Sequence, residues 1–363
     1  MRKVAGAIRK LLLSIHLLLG LLAGVFVIVV GLTGAILAFE EEIDHVINSN
    51  LWRVMPQERK VLLQTITETV HTSHLDRVFV KIHMHTHPEW PYVISTEDDF
   101  QVFVNPYSGA ILGTREYSQS FLSWVYSLHR SLLAGETGRK IVGFTAVMLV
   151  LLLLSGLYLW WPRSPVHIKS RLIPMWTSGW KRLNYDLHSV LGFYASWYLL
   201  VIAITGIIAT FPIVEKNIFW ITKSPPPPWE NPPFSEKSYN RNGIALDLAL
   251  QKAQQAIPAA VSTDVILPRT SQEPIQFIKR VPHALNRNAE SFVYVDQYSG
   301  KILRVDLYEK FSLGATIHAL ISPLHIGQIF GLPTQILALL ASALLPFSAV
   351  SGVILWWNRR RQK

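Results

Sequence analysis

The stretch LHSVLGFY, residues 187–194, opens a long uncharged apolar run, and IHLLLGLL, residues 15–22, opens another in the same way. Each places a histidine, His188 or His16, at the mouth of the run and a glycine, Gly192 or Gly20, four residues later. Ionisable side chains are costly and rare in lipid, so a histidine at such a place asks for a reason. Two at matched positions ask for a common one.

Four stretches, residues 11–39, 141–161, 187–213 and 329–357, lack Lys, Arg, Asp and Glu and are long enough for a bilayer core that takes about 20 helical residues. The first is far longer than the roughly 7–15 apolar residues of a signal peptide, and no clear small-residue cleavage site follows, so it reads as a retained anchor. Basic residues fall in three short segments free of acidic ones: Arg2, Lys3, Arg9 and Lys10; Arg163, Lys169, Arg171, Lys181 and Arg182; Arg359, Arg360, Arg361 and Lys363. The positive-inside rule makes these cytoplasmic and both longer connections external. The remaining chain carries more acidic than basic residues, so the net charge of +10 is a topology signal and gives no argument for nucleic acid. With no cysteine, disulfides, iron–sulfur clusters, thiolate metal sites and c-type haem attachment are excluded.

The chain reads as a tandem duplication. SLHRSLLAGETGRKIVGF from Ser127 aligns with PLHIGQIFGLPTQILAL from Pro323, matching His129 and Gly135 to His325 and Gly331. At the same offset SGLYLWWPR from Ser155 matches SGVILWWNR from Ser351. His16 and Gly20 pair with His188 and Gly192, and Thr33-Gly34 with Thr205-Gly206. The connections share NPYSGAILG from Asn105 and DQYSGKILR from Asp296. Each external piece reads as a small α+β unit. In the first, a helical rhythm over 57–73 precedes alternating strands near 78–83, 92–95 and 101–104, closed by a Tyr-Ser-Gly turn. In the second, from about 243 to 304, helical IALDLALQKAQQA precedes strands near 275–279 and 292–295. SPPPPWENPPF from Ser224 reads as a polyproline spacer that does not pack into its unit.

With these motifs the chain resembles the PepSY-associated transmembrane-helix proteins, also called iron-regulated membrane proteins. The carrying residues are HLLLG and HSVLG, LHRSLL and LHIGQI, the SGLYLWWPR exit and the two Tyr-Ser-Gly turns; the likeness covers nearly the whole chain. Within the family it is most similar to the FoxB-type inner-membrane reductases associated with siderophore uptake. That resemblance implies haem b and reduction of a ferric siderophore.

Two readings stand for His16 and His188: a hydrogen bond to a neighbouring helix's carbonyl, or axial ligation of a haem iron, for which a neutral imidazole is a good ligand. In the second reading Gly20 and Gly192, one turn on, clear a face for a flat macrocycle. The same pseudo-twofold pairing brings His129 to His325, with Gly135 and Gly331, as an outer site, against the alternative of interfacial residues. His318, two turns before His325, is a reserve ligand or a neighbour of the outer haem; its counterpart is Leu122. Trp160-Trp161 and Trp356-Trp357 read as interfacial belts that need not touch a cofactor. In HMHTHPEWP, His83, His85 and His87 would share one face of a strand and are either incidental or a metal or iron-substrate contact. His283 sits in the corresponding region of the second unit. No hydrolase motif, phosphate loop or nicotinamide fingerprint appears.

The expectation is an α-helical integral membrane protein with four spans from a tandem duplication and two small PepSY-like periplasmic units. Its order is a cytoplasmic N-terminus and span (1–40), a periplasmic unit (41–120), an interfacial segment and span (121–162), a cytoplasmic loop (163–185), a span (186–213), a Pro-rich spacer with the second unit (214–310), an interfacial segment and span (311–357) and a cytoplasmic tail (358–363). Lying in a bacterial inner membrane, it would carry two b-type haems, take electrons from a quinol or a cytoplasmic reductase and reduce periplasmic ferric siderophore. Two alternatives stand beside this: a haem electron-transfer subunit of another enzyme, and a cofactor-free PepSY regulatory protein.

Overall fold

The computed structural model describes residues 2–162, 164–236, 243–284 and 286–361. Arg163 and Lys363 of the charge argument lie outside the described residues, as do the side chains of Arg2 and Lys3. In chain order the elements are α1 (Arg2–Leu37), α2 (Glu40–Ile47), α3 (Leu63–Ser73), β1 (Phe79–His85), β2 (Tyr92–Thr96), β3 (Phe100–Val104), β4 (Ile111–Glu116), α4 (Phe121–Ser131), α5 (Gly135–Trp160), α6 (Trp180–Thr210), α7 (Pro212–Ile221), α8 (Leu246–Ala256), β5 (Ser262–Ile266), β6 (Ile275–Arg280), β7 (Glu290–Val295), β8 (Ile302–Asp306), α9 (Leu313–Ile326) and α10 (Leu332–Arg360). They form two compact units, one helical (1–40, 124–215, 321–363) and one built on a sheet (41–123, 216–320).

In the helical unit α1, α5, α6 and α10 are long and apolar enough to cross a membrane, as the four uncharged runs predict. Helix α1 packs on α5 and α10, and α6 packs on the same two, so α1 and α6 face each other diagonally. Small residues set the approach. A Cβ on Gly31 would stand 2.8 Å from Leu345 Cβ, and one on Gly143 2.6 Å from Thr210 Cγ2. Glycine therefore lets these backbones meet where lipid-embedded helices depend on close packing. Ala23, Val27, Ala195, Leu199, Ala341 and Leu345 fill the middle of the bundle.

The sheet unit differs from the two separate units expected. Its eight antiparallel strands run β4-β3-β2-β1-β5-β6-β7-β8 in a single sheet. Strands β1 and β5 join the halves, with His83 opposite Asp264 and His85 opposite Ser262. Each half alone would leave one of these strands as an unpaired edge, and pairing removes both edges at once. Helices α3 and α8 contribute to one shared core: Leu63, Ile66 and Val70 from α3 and Ala249 and Ala253 from α8 meet Ile82, Val102, Phe277 and Val293 of the sheet. The helices also cap each other. Asp247 accepts from the amides of Leu63 (2.7 Å) and Gln64 (3.0 Å), while Gln64 Oε1 accepts from the amide of Leu246 (3.3 Å).

Further differences are local. Helix α3 begins at Leu63, so the expected helical rhythm of 57–62 is not helix, and β4, β5 and β8 add strands that the sequence reading lacked. The proline-rich spacer does pack into its unit. Arg304 donates to the carbonyls of Pro228 (2.8 Å) and Asn231 (2.9 Å), and Trp229 lies 5.5 Å from the rings of Phe292 and Phe311. The spacer turns through Pro228–Glu230 as a short 3-10 helix, and Arg304 holds the carbonyls at its two ends.

Candidate functional site

His16 on α1 and His188 on α6 line one cavity of 530 Å³ between the diagonal helices. That volume lies within the range of about 300–1,000 Å³ usual for small-ligand sites. Gly20 and Gly192 line it too. A Cβ on Gly192 would meet nothing within 4 Å, and one on Gly20 only Leu152 Cδ2 at 3.8 Å, so neither glycine serves helix packing. They leave open volume beside the histidines. Arg9, Lys10 and Arg359 stand on the wall of an otherwise largely apolar chamber. Arg9 also donates to the carbonyls of Leu159 and Trp161 at the C-terminal end of α5, where the helix dipole favours a cation.

Each imidazole is held by its Nδ1. His16 Nδ1 lies 2.9 Å from Ser155 Oγ on α5, and His188 Nδ1 2.6 Å from Ser351 Oγ on α10. A Cβ on Gly156 or Gly352, the residue after each serine, would come within 3.4 Å or 3.5 Å of the ring Cε1.

The second pair repeats this arrangement. His129 Nδ1 lies 3.0 Å from Thr33 Oγ1 and 3.1 Å from Val30 O on α1; His325 Nδ1 lies 3.0 Å from Thr205 Oγ1 and from Ile202 O on α6. A Cβ on Gly34 or Gly206 would stand 3.1 Å from the ring Cε1. The rings of His129 and His325 face each other with centroids 6.2 Å apart and planes at 65°.

Gly135 and Gly331, expected beside a cofactor, each have a backbone part as well. Both have positive φ (+55° and +72°), and a Cβ on Gly135 would meet nothing within 4 Å. Gly135 opens α5 and Gly331 immediately precedes α10, where the chain reverses out of the short helices that carry His129 and His325. Glycine is needed there for the turn.

The tryptophan pairs divide. Trp161 and Trp357 are exposed, as belt residues would be, whereas Trp160 and Trp356 line the cavity. Trp160 stacks on Phe193 at 3.7 Å and 13° and donates to Arg171 O at 3.2 Å. One member of each pair is thus exposed as a belt residue would be, and the other belongs to the cavity wall.

In the sheet unit His318 packs against Trp229 (5.2 Å) and Phe219 (6.4 Å). The alternating histidines do not converge on a metal: among the described residues no group of three or more His, Asp or Glu is arranged to hold one. The chain leaves β1 after His85, so His87 turns onto Trp90 at 5.0 Å instead of continuing the row. His83 bonds Asp264 through Nδ1, and His85 stacks edge-on against His83 and Trp90, both at 4.4 Å. Burial, followed by the charges of His83 and Arg280, lowers the His85 pKa to about 3. Burial would raise Asp264, but the hydrogen bond and charge of His83, with Lys81 and Arg280, outweigh it and hold the carboxyl well below the usual range. His283 bridges Asn286 and lies 5.3 Å from Tyr308.

Reasoning from sequence missed the parts played by Ser155, Ser351, Thr33 and Thr205. Their signal was present as the Ser-Gly and Thr-Gly steps matched between the halves, yet only the folded bundle shows that each step seats a histidine from another helix. The profile of the PepSY-associated TM region matches residues 13–359. No curated protein matches the chain.

Proposed function

This chain belongs to the PepSY-associated TM family, and we propose that it is a di-haem membrane protein that passes electrons across the bacterial inner membrane to a ferric siderophore, as FoxB-type reductases do. The observation that carries this reading is the pairing of four seated imidazoles: His16 with His188 on one glycine-cleared cavity, and His129 opposite His325 at 6.2 Å. Imidazole donors, open space at Gly20 and Gly192 and the cations Arg9, Lys10 and Arg359 suit a flat apolar macrocycle with anionic substituents. His16 and His188 would hold one haem b and His129 and His325 the other. Bound there, haem supplies one-electron chemistry, while the protein supplies position and electrostatics.

The remaining parts of the reading follow from sequence and from the matched geometry. The two sets of Nδ1 bonds, alike in partner type and distance, support a tandem duplication. Basic residues beside the spans support cytoplasmic termini, which would put the sheet unit in the periplasm and both His129 and His325 on that side. Electrons would come from a membrane quinol or a cytoplasmic reductase. Reduction lowers the match between iron and hard oxygen ligands, so a siderophore releases it.

The test is the visible spectrum of detergent-purified protein, oxidised and dithionite-reduced, with haem quantified per chain, followed by mixing the reduced protein with ferric siderophores. Two low-spin b haems and reoxidation by the chelate are expected. Haem without reoxidation would favour an electron-transfer subunit for another enzyme. Protein that neither carries nor takes up haem would leave the cofactor-free regulatory reading.

A further inference from the structure

We infer that Ser155, Ser351, Thr33 and Thr205 are positioning residues that fix all four histidines as the Nδ1–H tautomer and so present Nε2 as the electron-pair donor. This rests on the proposed haem reading for its consequence, though not for its geometry. A hydroxyl has one proton to donate and lone pairs to accept with. Ser155 Oγ stands 2.6 Å from Leu151 O and 3.1 Å from Leu152 O; Ser351 Oγ stands 3.1 Å from Ser348 O. Thr33 Oγ1 is 2.7 Å from Val29 O and Thr205 Oγ1 2.8 Å from Val201 O. Carbonyls only accept, and at Ser155, Thr33 and Thr205 the carbonyl is nearer to the hydroxyl than Nδ1 is, so the proton is best placed within its own helix; Ser351, with Nδ1 at 2.6 Å and Ser348 O at 3.1 Å, is assigned the same way by its match to Ser155. The oxygen facing the histidine can then only accept, and Nδ1 must be the nitrogen that carries hydrogen.

At His129 and His325 a second acceptor without a proton faces Nδ1, Val30 O at 3.1 Å and Ile202 O at 3.0 Å, and requires the same Nδ1–H. The glycine after each hydroxyl residue completes the seat. Gly156, Gly352, Gly34 and Gly206 lie against Cε1, so the step from hydroxyl to glycine runs along the Nδ1–Cε1 edge of the ring and leaves Nε2 to project beyond it. Back-bonding of a helical Ser or Thr to its own carbonyls is common and needs no function. Thr145 and Thr210 back-bond with no histidine opposite, whereas at Ser155, Ser351, Thr33 and Thr205 a histidine Nδ1 from another helix meets the same oxygen.

An imidazole whose Nδ1–H has an acceptor is a stronger donor at Nε2. Stronger donation favours the ferric state of a bound iron, so removing the acceptor should raise the midpoint potential of that site alone. The experiment is a spectroelectrochemical titration of the haem-loaded full chain as wild type, Ser155→Ala, Ser155→Thr, Thr33→Val and Thr33→Ser. Upward shifts are expected for Ser155→Ala at one haem and Thr33→Val at the other. Ser155→Thr and Thr33→Ser, which keep the hydroxyl, should stay at the wild-type values. Two haems with potentials unchanged in every variant would overturn the inference and leave the haem reading standing. Histidine nitrogen-15 spectra of the haem-free chain, assigned with single His→Ala variants, test the tautomer independently of loading. Nδ1–H at all four positions is expected, and Nε2–H at any of them would overturn the inference whether or not the protein takes up haem.

Discussion

His129 and His325 reach across the helical unit to stand 6.2 Å apart, ring centre to ring centre, each tied through Nδ1 to a threonine on a different long helix. Neither ring is placed by its own helix alone. Under the proposed reading they are one site, so His129→Ala and His325→Ala should each remove the same haem, and the double variant should lose no more than either single. His16→Ala and His188→Ala should remove the other. Haem per chain and the reduced-minus-oxidised spectrum measure this; loss of both haems from any single variant that still folds would contradict the pairing.

Gly192 and Gly31 are both helical glycines, yet they should respond oppositely to enlargement. A Cβ on Gly192 enters open cavity, while one on Gly31 meets Leu345 Cβ at 2.8 Å and Ser342 O at 2.9 Å. Gly192→Leu should fill the cavity, abolish haem uptake at His16 and His188, and leave the thermal midpoint of the haem-free protein near wild type. Gly31→Leu should force α1 from α10 and destabilise by about 1–3 kcal/mol, the usual cost of overpacking. Thermal melts of the two haem-free variants beside their haem content separate the effects.

The spans and the four histidines were legible in the sequence because lipid enforces uncharged runs and because each histidine is matched in the second half of the chain. What the sequence hid was tertiary. Nothing in the periodicity of β1 or β5 says that they will pair, since an edge strand and a central strand can share one pattern; the single eight-stranded sheet follows from covering two edges. Gly135 and Gly331 stand out as a matched pair, but a glycine six residues after a histidine serves a turn as readily as a cofactor, and only the folded chain shows the positive φ that the turn requires of both. Ser155 and Thr33 were visible as matched letters whose partners, His16 and His129, sit on other helices.

Acid should weaken the seam of the sheet. With a folded pKa near 3 against about 6.5 unfolded, neutral His85 contributes stability that is fully present above pH 6.5 and is lost as pH falls from there toward 3. The slope contributed by one such group is at most about 1.4 kcal/mol per pH unit. His83, Arg280, His45 and Asp264 all act on this ring, so the pH dependence belongs to the cluster as well as to His85. His85→Gln should flatten the fall in denaturation midpoint between pH 6.5 and 5. An unchanged slope in that variant would show that His85 is already charged in the folded protein.

Lys279 carries the same sign of pH dependence in a higher window. Its side chain is fully buried beneath α8, where Nζ donates to Gln254 Oε1, a neutral partner, and burial lowers its pKa to about 8. Between pH 8 and about 10.4 the unfolded chain holds the proton that the folded chain has released, so stability rises with pH across that window. Below pH 8 the full penalty of a poorly compensated ammonium remains, on the order of 3 kcal/mol for a shift of this size. Methionine keeps the length and apolar body of the lysine stem, and Gln254 is exposed enough to turn to water. Lys279→Met should therefore raise the denaturation midpoint at pH 7.5, with the gain over wild type shrinking as pH approaches 10. A gain that stays constant across that range would mean that the folded lysine keeps its proton as fully as the unfolded one, and a loss would mean that its bond to Gln254 outweighs the cost of burying the charge.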